Sequence, residues 1–199
     1  MSDEQTHVRD FFTERAAGWD SRFPDDGPAY VSAVGLLGLR LGDAVLDAGC
    51  GTGRALPVLR EAVGPTGTVL GADLTPAMLR EAVRAGRDRN AALLLADVAR
   101  VPLRDAVLDA VFGAGLVSHL AHPEAGLREL ARVVRPVGRL ALFHPIGRAA
   151  LAARHGRALT GDDLRAEPNL RLLLARSGWH MDSYTDEENR FLALAHRTP

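Results

Sequence analysis

The sequence predicts an α/β fold, a doubly wound and mostly parallel sheet of seven strands whose last strand runs antiparallel. Three observations carry that reading. Short apolar runs alternate with helix-periodic stretches from residue 44 to residue 144. The first run ends in Val45-Leu46-Asp47-Ala48-Gly49-Cys50-Gly51-Thr52-Gly53, a strand that feeds three glycines and then a helix. The chain closes on two strand-like runs, 179–185 and 190–197, around Asp186-Glu187-Glu188-Asn189, a hairpin that adds one antiparallel strand.

Taken in order, residues 4–17 have helical character, with Val8, Phe11, Phe12 and Ala16 near one face. Pro24-Asp25-Asp26-Gly27-Pro28 reads as a break, and 29–39 as a second helix. Gly42-Asp43 turns into the first strand, 44–48, and a helix over 54–63 ends at Gly64-Pro65. The second strand is 67–72. Thr75-Pro76 caps a helix to about residue 88, with proline in its first turn. A third strand covers 92–96 and a fourth 107–115, with Asp109 inside it. Pro123 opens a helix to Val134, and Arg135-Pro136-Val137-Gly138 turns into a fifth strand, 139–144. Arg148–Thr160 is polar and arginine-rich, a loop or short helix over the site, and Asp162 begins the last helix, which Gly178 caps.

Composition narrows the functional classes. A chain of 199 residues supports one substantial core and suggests one domain over 1–199. It divides into N-terminal helices or lid (1–40), a central half (41–145) and a C-terminal half (146–199). The net charge of −1 gives no electrostatic footprint for nucleic acid. No apolar run has the length of a membrane span, and the polar, acidic Met1–Gln5 is unlike a signal peptide. Cys50 is the only cysteine, so no internal disulfide is possible. Together these point to the cytoplasm. All 24 basic residues are arginine, which removes lysine Schiff-base chemistry and a phosphate-loop lysine, and suggests a GC-rich bacterial genome.

The glycine turn is the informative site. Gly49, Gly51 and Gly53 lack the side chains that would hold a ligand off the backbone or clash at positive φ. The commoner dinucleotide fingerprint needs glycine at position 54, where the chain has Arg54. Asp47, just before the glycines, favours a ligand with positive charge near the turn over a bare pyrophosphate. Asp73 ends the second strand 20 residues after Gly53, where an acid can accept from both hydroxyls of a ribose. Asp97-Val98 follows the third strand.

This order of motifs resembles the class I S-adenosylmethionine-dependent methyltransferases. It is similar to their small-molecule group, which includes the ubiquinone and menaquinone C-methyltransferases, and the pattern covers nearly the whole chain. The resemblance implies a Rossmann-like methyltransferase fold, S-adenosyl-L-methionine as cofactor and a small-molecule methyl acceptor. Asp47, Gly49, Cys50, Gly51 and Gly53 become the cofactor turn, Asp73 the ribose ligand, and Asp97 with Val98 the adenine-contacting pair. Leu74 and Val98 sandwich the adenine by analogy, and backbone near Gly115 meets the methionine part. Phe12, Arg15, Trp19 and Asp20 resemble the N-terminal segment that closes over the cofactor. Arg15 is a candidate for the methionine carboxylate, or else a solvated helix arginine. Trp19 is a candidate shield for the sulfonium, or else a core aromatic. Val137 stands where the family has the first of two glycines.

His144, at the end of the fifth strand, is the first candidate for a general base, titrating near the usual histidine value of roughly 6.5, and His119 the second. His119-Leu120-Ala121-His122 has metal-compatible spacing, but no cysteine or second pair completes a site, so no metal is expected. Two other classes stay open: a non-catalytic S-adenosylmethionine-binding regulatory protein, and a nicotinamide-dependent oxidoreductase on a similar sheet. The second predicts glycine at position 54 and a parallel final strand.

Overall fold

The computed structural model describes residues 3–22 and 26–199. Pro24 and Asp25, the start of the expected break, lie outside the described residues. In chain order the elements are α1 (Asp3–Arg15), α2 (Gly27–Leu37), β1 (Ala44–Ala48), α3 (Leu56–Val63), β2 (Thr68–Asp73), α4 (Pro76–Arg84) and β3 (Ala92–Leu95). They continue with β4 (Leu108–Ala114), α5 (Pro123–Val133), β5 (Val134–His144), α6 (Arg148–Arg154), α7 (Glu167–Arg176), β6 (Trp179–Glu187) and β7 (Arg190–Arg197).

One seven-stranded sheet has the order β3-β2-β1-β4-β5-β7-β6. The first five strands are mutually parallel, and β7 runs antiparallel to both β5 and β6. Apolar side chains cover both faces, as a parallel sheet requires. Leu46, Val111 and Leu140 join α5 and α7 through Leu127, Leu130, Leu170 and Leu174 on one side. Val45, Phe112 and Phe143 join α2 and α3 through Val34, Leu37, Leu56 and Leu59 on the other. Because the order reverses between β1 and β4, the loops leaving these two strands part and open a crevice at their carboxyl ends.

The structure corrects three sequence expectations. The last helix starts at Glu167, not at Asp162, because Pro168 lacks an amide hydrogen and is tolerated only in a first helical turn. The fifth strand begins at Val134, and the expected turn lies within it. Leu108 pairs with Val134 and Ala110 with Arg139, so residues 135–138 bulge out. Val137 there takes a positive φ of 63°, a conformation that favours the glycine it replaces. The final hairpin is also tighter than expected, since β6 and β7 pair as far as Glu187 and Arg190. Asp109, an acid within a strand, is satisfied by the Ala44 N–H at 2.7 Å and by Arg135.

Candidate active site

The crevice is a cavity of about 810 Å³ into which the tips of β1, β2, β4 and β5 converge, with α1 and the segment after β5 as further walls. Asp47, Gly49, Cys50, Gly51, Asp73, Leu74, Asp97, Val98, Gly115, Trp19, Arg15, His119 and His144 all line it. Gly53 does not. It sits behind the turn with φ 81°, where a Cβ would come within 2.8 Å of Leu56. Gly49 and Gly51 also have positive φ, 69° and 55°, and a Cβ on Gly51 would meet nothing within 4 Å, so the turn leaves backbone open to the cavity.

The three strand-end acids are fixed by different means. Asp73 accepts the Gly51 N–H at 2.8 Å on one oxygen and the Thr75 N–H at 2.7 Å on the other. The Thr75 side chain also bonds this carboxylate, so of its roughly four acceptor positions one remains open to a ribose hydroxyl. Burial raises its pKa, and the bonds from Thr75 and Gly51 oppose that shift. Asp47 is almost fully buried beneath the turn, and its Oδ1 has no hydrogen-bond partner among the described residues. Burial first, and the charge of Asp73 second, push its pKa up to about 8. Burial likewise raises the Cys50 thiol, so it packs as an inert small residue. Asp97 accepts the Ala99 N–H at 2.9 Å and, on its other oxygen, the Gln5 side-chain amide at 2.5 Å.

The N-terminal segment is a docked wall. Phe12 and Trp19 pack with Ala16 against Ala77 and Met78 of α4. Asp20 accepts the Thr52 hydroxyl at 2.6 Å and pairs with Arg87 at 2.6 Å, tying the segment to the glycine turn. Arg15 is turned to its own helix: it donates to the Phe11 carbonyl at 2.9 Å and lies 3.8 Å over the Phe11 ring. Sequence reasoning missed Gln5, and also the trio at the other rim. There Arg54 pairs with Asp26 at 3.2 Å and stands over Tyr30, whose hydroxyl burial holds in the neutral form.

His144 and His119 stand at the β5 and β4 ends. The His144 Nδ1 lies 2.9 Å from the Ile146 carbonyl and 3.2 Å from the Ile146 N–H; in the tautomer that donates to the shorter contact, Nε2 keeps its lone pair. Burial lowers its pKa to about 4, with the charges of Arg165, His119 and Arg154 adding to the shift. The expected titration near the ordinary value is therefore corrected: desolvation keeps this imidazole neutral through the physiological range. A Cβ at Gly115 would sit 4.0 Å from the His144 ring, so the β4 loop and the base candidate adjoin. His119 packs edge-on to Phe12 at 4.9 Å, and burial lowers its pKa too. Arg148–Thr160 does run over the site, as α6 and the loop after it.

Residues 46–142 match the family model described as a methyltransferase domain. The ubiquinone/menaquinone biosynthesis C-methyltransferase of Pseudomonas fluorescens is 37% identical over 116 residues, which span 54% of this chain and 44% of that protein. The chain thus spans less than half the length of the curated relatives it matches. Magnesium protoporphyrin IX methyltransferase from Synechocystis, solved with bound S-adenosylmethionine, superposes with a TM-score of 0.70 at 20% identity, over 100% of this chain and 99% of that one. An S-adenosylmethionine-dependent methyltransferase from Aquifex aeolicus gives a TM-score of 0.70 at 24% identity, over 84% and 88%. In sheet order, in the glycine turn and over residues 46–142 the chain is similar to the class I S-adenosylmethionine-dependent methyltransferases. Among the relatives, its sequence is similar over that stretch to the ubiquinone/menaquinone C-methyltransferases. The antiparallel β7 and the missing glycine at position 54 both count against a nicotinamide oxidoreductase.

Proposed function

We propose that this protein is an active methyltransferase that uses S-adenosylmethionine to methylate a small molecule. The observation that carries the reading is a single cavity with a glycine turn and three strand-end acids on one side and two neutral-leaning histidines on the other. The residues present fit the cofactor. Asp47 presents a buried oxygen with no partner among the described residues, suited to a cationic group, and Asp73 keeps an acceptor position for a ribose hydroxyl. Asp97 offers an acceptor for an adenine amino group once Gln5 yields it, with Leu74 and Val98 as flanking apolar surface. Backbone at Gly49, Gly51 and Gly115 forms the floor under the methionine part, with Cys50 filling the turn. Trp19 and Arg15 stand at the α1 wall, with Trp19 the better placed to cover the methyl donor, since Arg15 is engaged with its own helix.

When bound, the cofactor supplies a pre-activated methyl group on a sulfonium. The chain has then to hold the acceptor in line, exclude water and take a proton where the acceptor has one to lose. The α1 aromatics close one side of the cavity against solvent. Nε2 of His144, neutral above about pH 4, is the proton acceptor, and His119 is the alternative. We assign residues 41–145 to the cofactor side and 146–199 to the acceptor side of one methyltransferase domain, with 1–40 as its covering segment.

Calorimetry tests the reading directly. S-adenosylhomocysteine should bind, and NAD should not bind comparably. Tighter NAD binding sinks it. A radiolabelled methyl-transfer screen against small metabolites separates an enzyme from a binding-only regulator.

A further inference from the structure

We propose that the acceptor is an amphipathic anion, an apolar body ending in a carboxylate, whose charge is held by Arg154 and Arg157 at the α6 wall of the cavity. The proposal rests on the methyltransferase reading for the identity of the ligand as acceptor, but the anion site stands on its own geometry.

The local charge balance carries it. Each acid that is half-buried on this wall is already engaged. Asp186 accepts the Arg148 N–H at 2.8 Å and its guanidinium at 2.9 Å. Asp163 faces Arg148 at 3.4 Å and binds Arg165 through both backbone (2.9 Å) and side chain (3.3 Å). Asp162 lines the cavity from its solvent-exposed rim, where the Thr160 hydroxyl stabilises its charge. Arg154 and Arg157 line the same cavity, and their guanidinium groups have no ion-pair or hydrogen-bond partner among the described residues. Two cations set against the one exposed carboxylate of Asp162 leave a net positive excess on this wall that an anion would complement.

The placement of that excess ties it to the reaction. The charges of Arg154 and Arg165 both reach His144, and that of Arg165 reaches His119, so the cationic wall and the base candidates share one space. The guanidinium charges, which add to the burial that keeps His144 unprotonated, also favour an acceptor that carries or develops negative charge. Leu151, Leu159 and Leu164 line the same cavity, and Leu159 and Leu164 are exposed, so an apolar body has a surface to lie on. The wall is held in place for this task. Arg148 brackets α6 to the end of β6 and to the following loop, and Gly147 lets the chain pass so close to Glu187 that a Cβ would overlap its carbonyl.

Benzoate and its neutral isostere benzamide are the probes, titrated by NMR into the full chain with and without S-adenosylhomocysteine. Benzoate is expected to bind at least about tenfold tighter than benzamide. The Arg154→Gln/Arg157→Gln double variant should reduce that ratio to near one while binding S-adenosylhomocysteine as the wild type does, which also shows that it folds. Equal binding of the two probes, no binding of either, or a preference that survives in the double variant overturns the proposal. A charge preference that holds while S-adenosylhomocysteine fails to bind overturns the methyltransferase reading and leaves the anion site standing.

Discussion

The two sides of the cavity are built by different means. On the side proposed to take the cofactor each polar group is placed by the sheet: Asp47 lies in β1, Asp73 ends β2, Asp97 follows β3, and backbone amides of the glycine turn and of Thr75 hold the Asp73 carboxylate. On the acceptor side only His144 belongs to a strand. Arg154 and Arg157 ride on a seven-residue helix and its loop, secured by ion pairs through Arg148. Groups placed by strand ends cannot move without refolding the core, whereas a loop wall can change its side chains freely. The chemistry shared by a family therefore belongs on the first side and acceptor choice on the second.

The largest effect expected is on the acceptor side. With a true acceptor in hand, His144→Ala should lower turnover by about 10²–10⁴-fold while leaving cofactor affinity nearly intact. The acidic limb from this residue should fall near pH 4 rather than at the ordinary histidine value, because burial opposes the imidazolium. A wild-type rate in the variant makes His144 structural and moves the test to His119. On the cofactor side, Asp73→Ala should weaken S-adenosylhomocysteine binding by about 1–3 kcal/mol. It should also destabilise the fold, since the Gly51 and Thr75 amides lose their acceptor. Unchanged affinity in the folded variant removes Asp73 from the site.

Asp47 gives a pH test of the same side. Its folded pKa of about 8 lies above the unfolded value near 3.9, so between those values the folded state binds more protons than the unfolded one. Stability from this group is thus greatest at low pH and falls as pH rises through the window, up to about 8. A cationic ligand beside the carboxylate lowers that pKa, so cofactor binding at pH 7 should release up to about one proton. Calorimetry in buffers of different ionisation enthalpy reads the release directly, and Asp47→Asn should abolish it. Binding with no proton release separates the ligand's positive charge from Asp47.

The same contrast explains what the sequence made legible. β1 was placed to the residue, and the neighbouring strands to within one, because apolar runs and the acids that end them are fixed by the sheet. The acids and glycines of the turn were visible for the same reason. Residues 135–138 misled because a glycine-poor turn can be absorbed as a bulge inside a strand. Asp162 misled because cap chemistry resembles turn chemistry, and Pro168 is what fixes the helix start. Arg148–Thr160 could be read as arginine-rich, but not which arginines are neutralised, since their partners Asp163 and Asp186 are brought in by tertiary packing. Gln5 had no signal at all: its partner is 92 residues away and belongs to no local pattern.

Gln5 also gives the smallest and sharpest test, because it is where the covering segment touches the cofactor side. Its side-chain amide donates to the Asp97 oxygen that an adenine amino group would use, so helix and cofactor compete for one acceptor. An ordinary side-chain hydrogen bond is worth about 0.5–1.5 kcal/mol net. Gln5→Ala should therefore tighten S-adenosylhomocysteine binding about two- to tenfold. It should also speed hydrogen exchange in α1 of the free protein, since one tether of that helix is gone. In an Asp97→Ala background the same substitution should do nothing to affinity, because the acceptor both groups share is absent. Weaker binding in Gln5→Ala alone would reverse the assignment, making Gln5 a partner of the bound cofactor rather than its competitor. The α1 wall would then belong with the strand-end acids and not with the variable side of the cavity.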